Sequence, residues 1–107
     1  MKKMDISEAS GLGGGLFSNK MILMAIRQAK KQKTIKEIVI DNTENGEVVY
    51  IVLYKRISDK DAQALSSLFN GGAIMGINLG SITKGAKIQV IKENKFTKTE
   101  NMIEVSI

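Results

Sequence analysis

No stretch of the chain is more demanding than Glu47 to Tyr54, eight residues dense in β-branched and aromatic side chains. Such side chains suit the pleated strand better than the helix. In a strand, Val49, Ile51 and Leu53 point one way while Val48, Tyr50, Val52 and Tyr54 point the other. A strand apolar on both faces is normally central in its sheet or buried against a partner. Asn45-Gly46, just before it, is a turn signal, because both residues tolerate the positive φ of a type I′ turn. Ile35 to Asp41, ahead of that turn, reads as another strand.

Two helices flank this β region. From Asn19 to about Lys33 the residues are good helix formers, with Ile22, Ala25, Ile26 and Ala29 at helical spacing and Ser18 as the expected N-cap. Ser58 with Asp61 three residues on resembles a capping box, so a second helix is expected over Asp59 to Phe69. It would bury Ala62, Leu65, Leu68 and Phe69 and end at Asn70-Gly71-Gly72. Residues 2–9 read as a short strand, and Lys87 to Lys92 and Met102 to Ile107 as two more with a polar, lysine-bearing reversal between them. Residues 71–85 mix five glycines with Ile74, Met75, Ile77, Leu79 and Ile82, which suggests a short helical turn or an ordered apolar lid.

The resulting order, β-α-β-β-α-β-β, describes a single α+β domain over residues 1–107. Its first six elements are those of the ferredoxin-like sandwich, two helices packed on one face of an antiparallel sheet. A domain of this size buries a modest core. With no Cys to cross-link it, a homo-oligomer that hides further apolar surface is expected.

Several chemistries are closed to this composition. The chain has no His, Cys, Trp or Pro. Disulfides, thiolate or imidazole metal sites, a Ser-His-Asp triad and a Cys nucleophile are therefore impossible. Asp59 and Asp61 at a helix start are explained by capping, and no pair of carboxylates stands out for acid–base work. A non-enzymatic protein without catalytic residue, metal or cofactor is the expectation. The uncharged stretch from Ala62 to Thr83 is too polar for a membrane span, no targeting signal is visible, and a cytoplasmic location is expected.

Charge is the feature that points outward. The net charge is +5, and its distribution is uneven. Residues 1–36 carry eight bases and two acids, whereas residues 37–54 carry four acids and no base. Lys20, Arg27, Lys30, Lys31 and Lys33 lie along the first helix and its end. Lys92, Lys95 and Lys98, with Phe96 among them, form a second group in the C-terminal reversal, read as a hairpin. Lysines on a helix often do no more than face water, and Phe96 can fold back on the core. The functional alternative is that both groups hold the phosphates of DNA or RNA, with Phe96 available for stacking on a base.

Other motifs are less specific. Gly11-Leu12-Gly13-Gly14-Gly15 stands before a helix, yet neither dinucleotide nor P-loop spacing is met, since Leu16 replaces the third glycine. A connection ordered by a partner through Leu12, Leu16 and Phe17 fits it better. Tyr50 and Tyr54 lack the surrounding pattern of sheet-type RNA binders. Leu68 to Ile82, apolar and uncharged, is expected either to bury in the monomer or to meet a protein partner. The alternative to nucleic-acid binding is thus a protein-interaction module, an inhibitor, adaptor or assembly subunit using these loops.

Overall fold

A computed structural model describes residues 2–9, 11–70, 73–74, 77–78 and 86–107. The strands are β1 (Lys2–Asp5), β2 (Ile35–Thr43), β3 (Gly46–Leu53), β4 (Ala73–Ile74), β5 (Ile77–Asn78), β6 (Ala86–Lys92) and β7 (Met102–Ser106). The helices are α1 (Lys20–Lys31) and α2 (Asp59–Phe69), with short 3-10 segments at Gly13–Ser18 and Glu93–Lys95. The fold is α+β, with two helices and a five-stranded sheet of order β1-β7-β2-β3-β6. As the two-sided pattern of 47–54 demands, β3 lies inside the sheet, hydrogen-bonded to β2 and β6.

The sheet is mixed, which corrects the antiparallel ferredoxin-like arrangement. β3 and β6 run parallel, as do β1 and β7, while β2 is antiparallel to both β3 and β7. Parallel neighbours need a long crossover, and the chain supplies α2 between β3 and β6. β6 and β7 are not a hairpin: β3 and β2 separate them, and both run the same way. Segment 93–101 joins them by crossing the sheet face opposite the helices, where the Phe96 ring lies 5.1 Å from that of Tyr50. The step from β3 to β6 moves outward with its helix on one face; the step from β6 to β7 moves back with its connection on the other. Reversing both direction and face leaves the two crossovers with the same hand, as the uniform handedness of such units requires.

The core sits between the sheet and the helices. Ladder partners share a face. Ile38 with Ile51 and Ile40 with Val49 therefore present their side chains together to Ile22, Leu23 and Ile26 of α1 and Phe69 of α2, all buried. Ala62, Leu65 and Leu68 are only partly buried against this cluster. Leu16 and Phe17, on the 3-10 turn, are also buried in it. That removes them as contacts for a partner, because the glycine-rich segment turns its apolar side chains inward. On the opposite face Val39 and Val52 are fully buried too.

Local chemistry sets the ends of the elements. Asn19, not Ser18, caps α1, its Oδ1 accepting from the Met21 and Ile22 amides, while the Ser18 hydroxyl turns back to the Gly15 carbonyl. At the other end the Lys33 amide donates to Lys30 O and the Thr34 amide to Ala29 O. This is the paired-bond stop that usually places glycine in the left-handed position. Here Lys33 occupies it, with φ 62°. Ser58 caps α2 by accepting from the Asp61 amide, as its sequence spacing suggests. The β2–β3 turn departs from type I′: Thr43 pairs with Gly46, and of the turn residues only Gly46 has positive φ, at 119°. Residues 2–9 are strand only to Asp5, whose carboxylate accepts from the Ser7 hydroxyl and the Glu8 amide and bends the chain away. Those two bonds hold the Asp5 carboxyl below its usual range.

Candidate nucleic-acid interface

One end of the sheet brings together three lysine-bearing segments. Only Gln32 to Thr34 separate α1 from β2, so the last turn of α1 sits beside the start of β2. Leu53 at the end of β3 pairs with Ile35 on one side and with Lys92 at the end of β6 on the other. Segments 30–36, 55–61 and 92–95 therefore meet at this end, and they hold nine basic residues against three acids. The β2–β3 turn and the strand ends beside it, at the far end of strands about 27 Å long, carry Asp41, Glu44 and Glu47, with Lys87 of β6 next to them.

The basic segments are tied to one another. Arg56 donates from Nη2 to the carbonyl oxygens of Lys33, at 2.5 Å, and Gln32, at 3.3 Å. Its charge thus offsets the negative C-terminus of α1. Glu93 accepts from Lys36 Nζ and from the Lys55 amide, both at 2.9 Å, and so joins β2, the turn after β3 and the end of β6. The Lys36 bond, then the Lys55 amide, hold the Glu93 carboxyl below its ordinary range, and Glu93 in turn raises the Lys36 ammonium. Lys92 Nζ lies 3.0 Å from Asp59 at the start of α2. That bond, with the neighbouring charge of Lys95, lowers the Asp59 carboxyl.

The acids account for two of the cations. Lys36 is paired with Glu93 and Lys92 with Asp59. Among the described residues, Lys30, Lys31, Lys33, Lys55, Lys60 and Lys95 make no ion pair. All of them but the half-buried Lys30 are exposed.

Of the nine residues singled out in the sequence, five belong to this end: Lys30, Lys31 and Lys33 from α1 and its stop, Lys92 and Lys95 from the end of β6. Arg27 is exposed one turn before Lys31, at the margin. Lys20 opens the helix, about 16 Å from Lys31 along its axis, and is not part of the group. Lys98 and Phe96 stand apart from this end. They lie on the sheet face opposite the helices, where Lys98 Nζ is 2.6 Å from Glu37 Oε1 and 3.9 Å from Glu104. Glu37 is buried, and beyond this ion pair its Oε1 has no hydrogen-bond partner. Lys98 therefore neutralises a carboxylate, and Phe96 packs on Tyr50. Burial of the sheet's second face explains both.

Lys36, in the same basic run of the sequence as Lys30, Lys31 and Lys33, also belongs to this end; Lys55, Arg56 and Lys60 complete it and were not legible as part of it. Lys36 stands next to the cluster in sequence, but only strand pairing brings 55–60 alongside. Of the Leu68–Ile82 stretch, Phe69 is buried and Leu68 partly buried. The expectation of a protein contact there otherwise rests on side chains outside those described. A recess of about 110 Å³ opens between the helices, lined by Ala25, Ile26, Ala29, Ile35, Leu65 and Phe69. Met21 and Met24 are exposed on α1, at 40% and 59%. Among the described residues no helix is long and apolar enough to cross a membrane, and no three carboxylates form a metal-binding group.

Compared with known families, with curated proteins and with solved structures, the chain matches none of them.

Proposed function

We propose that the protein is a small, non-enzymatic nucleic-acid-binding protein of the cytoplasm that holds phosphates at the basic end of its sheet. The observation that carries this reading is the meeting of three lysine-bearing segments at one end while the β2–β3 turn collects acids at the other. Like charges brought together repel, and a fold that brings these lysines to one end gains from a polyanion laid across them. Lys33 adds to the case. A lysine in left-handed backbone costs about 1 kcal/mol relative to glycine, yet here it keeps a cation where glycine would relieve strain.

The test is binding of fluorescent DNA and RNA at low salt by the protein and by Lys30→Glu/Lys31→Glu. The charge reversal should abolish binding and leave the circular dichroism spectrum and unfolding midpoint in place. Binding that survives the double reversal refutes the assignment.

A protein-interaction module is the second reading. It is favoured by the apolar recess between the helices, flanked by the exposed Met21 one helical turn before Ala25, since methionine adapts to varied apolar partners. A homo-oligomer through this face would also enlarge the small core. Light scattering of the protein and of Met21→Lys decides it: an oligomer that dissociates on substitution supports this surface, and an unchanged mass removes it.

A further inference from the structure

Resting on the nucleic-acid reading above, we infer that the ligand is a double helix gripped by its two phosphate backbones without regard to sequence. Two features of the basic end lead there. The first is the placing of the cations in two rows. Lys30 and Lys31 at the end of α1 and Lys60 at the start of α2 lie in the helix layer above the sheet, whereas Lys55 and Lys95 follow the ends of strands within it. A helix packs about 10 Å from its neighbouring layer. Two rows of cations at that spacing suit two phosphate chains flanking a groove, which is about 6 Å wide on the minor side of B-DNA and about 12 Å on the major. A single strand offers only one row.

The second feature is the occupation of the groups that read or stack bases. Single-strand binders rely on exposed aromatic platforms. Four of the five aromatics are engaged elsewhere, Phe17 and Phe69 in the core and Tyr50 and Phe96 together on the far face, while Tyr54, at the basic end, is partly buried against the core. Arginine is the side chain that reads guanine with two bonds. The one arginine of the basic end, Arg56, commits its Nη2 to the carbonyls at the stop of α1. The lysines that remain act as point charges on phosphate.

Competition against a labelled duplex tests this with the unaltered protein. The competitors are two duplex DNAs of unrelated sequence, a duplex RNA, and the single strands of each. Each of the three duplexes should compete better than its own strands, and the two DNA sequences should differ by less than about threefold. The duplex salt slope should approach about 0.9 per phosphate contact, against about 0.7 for a single strand. Tighter binding to single strands, or more than tenfold preference between the DNA sequences, overturns the inference while leaving nucleic-acid binding intact. Failure of every polynucleotide to bind overturns the parent reading with it.

Discussion

The guanidinium of Arg56 donates to the main-chain oxygen of Lys33 at 2.5 Å, which fastens the turn after β3 to the stop of α1. Two cations far apart in sequence are thereby held side by side, and the helix C-terminus gains a positive cap. Replacing Arg56 by Ala should cost about 1 kcal/mol in urea unfolding, with the loss of protection in amide exchange confined to the last turn of α1. Arg56→Lys should recover only part of this, since lysine lacks the planar fork. An unchanged midpoint for Arg56→Ala would contradict the capping role.

Lys33 separates stability from binding. Lys33→Gly should raise stability by about 0.5–1 kcal/mol, because glycine accepts φ 62° without a Cβ clash. The same change should weaken polyanion binding by removing a cation. Denaturant titration and binding of the one variant check both directions.

On the other face, Lys98→Met should leave Glu37 as a buried carboxylate without its counter-ion. Lys98 is 42% exposed, so water screens part of the pair. The expected loss is about 1–2 kcal/mol, below the range for fully buried pairs. Glu37→Met/Lys98→Met should regain most of that stability. Binding to nucleic acid should be unaffected by the double change, which sets this lysine apart from those of the basic end.

Acid should loosen the basic end. Glu93 and Asp59 have carboxyls lowered in the fold by their lysine and amide partners. Their stabilisation is therefore complete above the ordinary carboxylate range and is lost as the pH falls through the lowered values. Lys36 is raised by Glu93, so its share is complete below the ordinary lysine range and fades as the pH rises through the raised value. Glu93→Gln should flatten both limbs of the stability–pH profile; an identical profile would show that the contact contributes nothing.

The strength of residues 47–54 as an interior strand was readable because β-branched residues on both faces leave a strand no exposed side. Both helices were readable from spacing, and the α2 cap from Ser58 and Asp61. The order of strands was not. A lysine-bearing reversal between two strand patterns looks the same whether it is a hairpin or a crossover, and only the packing of Phe96 on Tyr50 and Lys98 on Glu37 distinguishes them. That difference also decided the site. A hairpin would have placed Lys92, Lys95 and Lys98 together, whereas the crossover leaves the first two at the basic end and carries the third across the far face. Lys55, Arg56 and Lys60 escaped notice because their neighbours are set by the pairing of β3 with β2 and β6, which no local pattern encodes.

The most direct measurement is the salt dependence of duplex binding for the protein, for Lys30→Ala/Lys31→Ala/Lys95→Ala and for Lys20→Ala/Lys98→Ala. Each lysine that contacts a phosphate should take about 0.9 from the slope of log affinity against log salt. The triple change at the basic end should therefore flatten the line markedly, and the double change elsewhere should leave it as it was. Equal slopes for all three proteins, or a greater loss from Lys20 and Lys98, would contradict a phosphate-binding role for this end of the sheet.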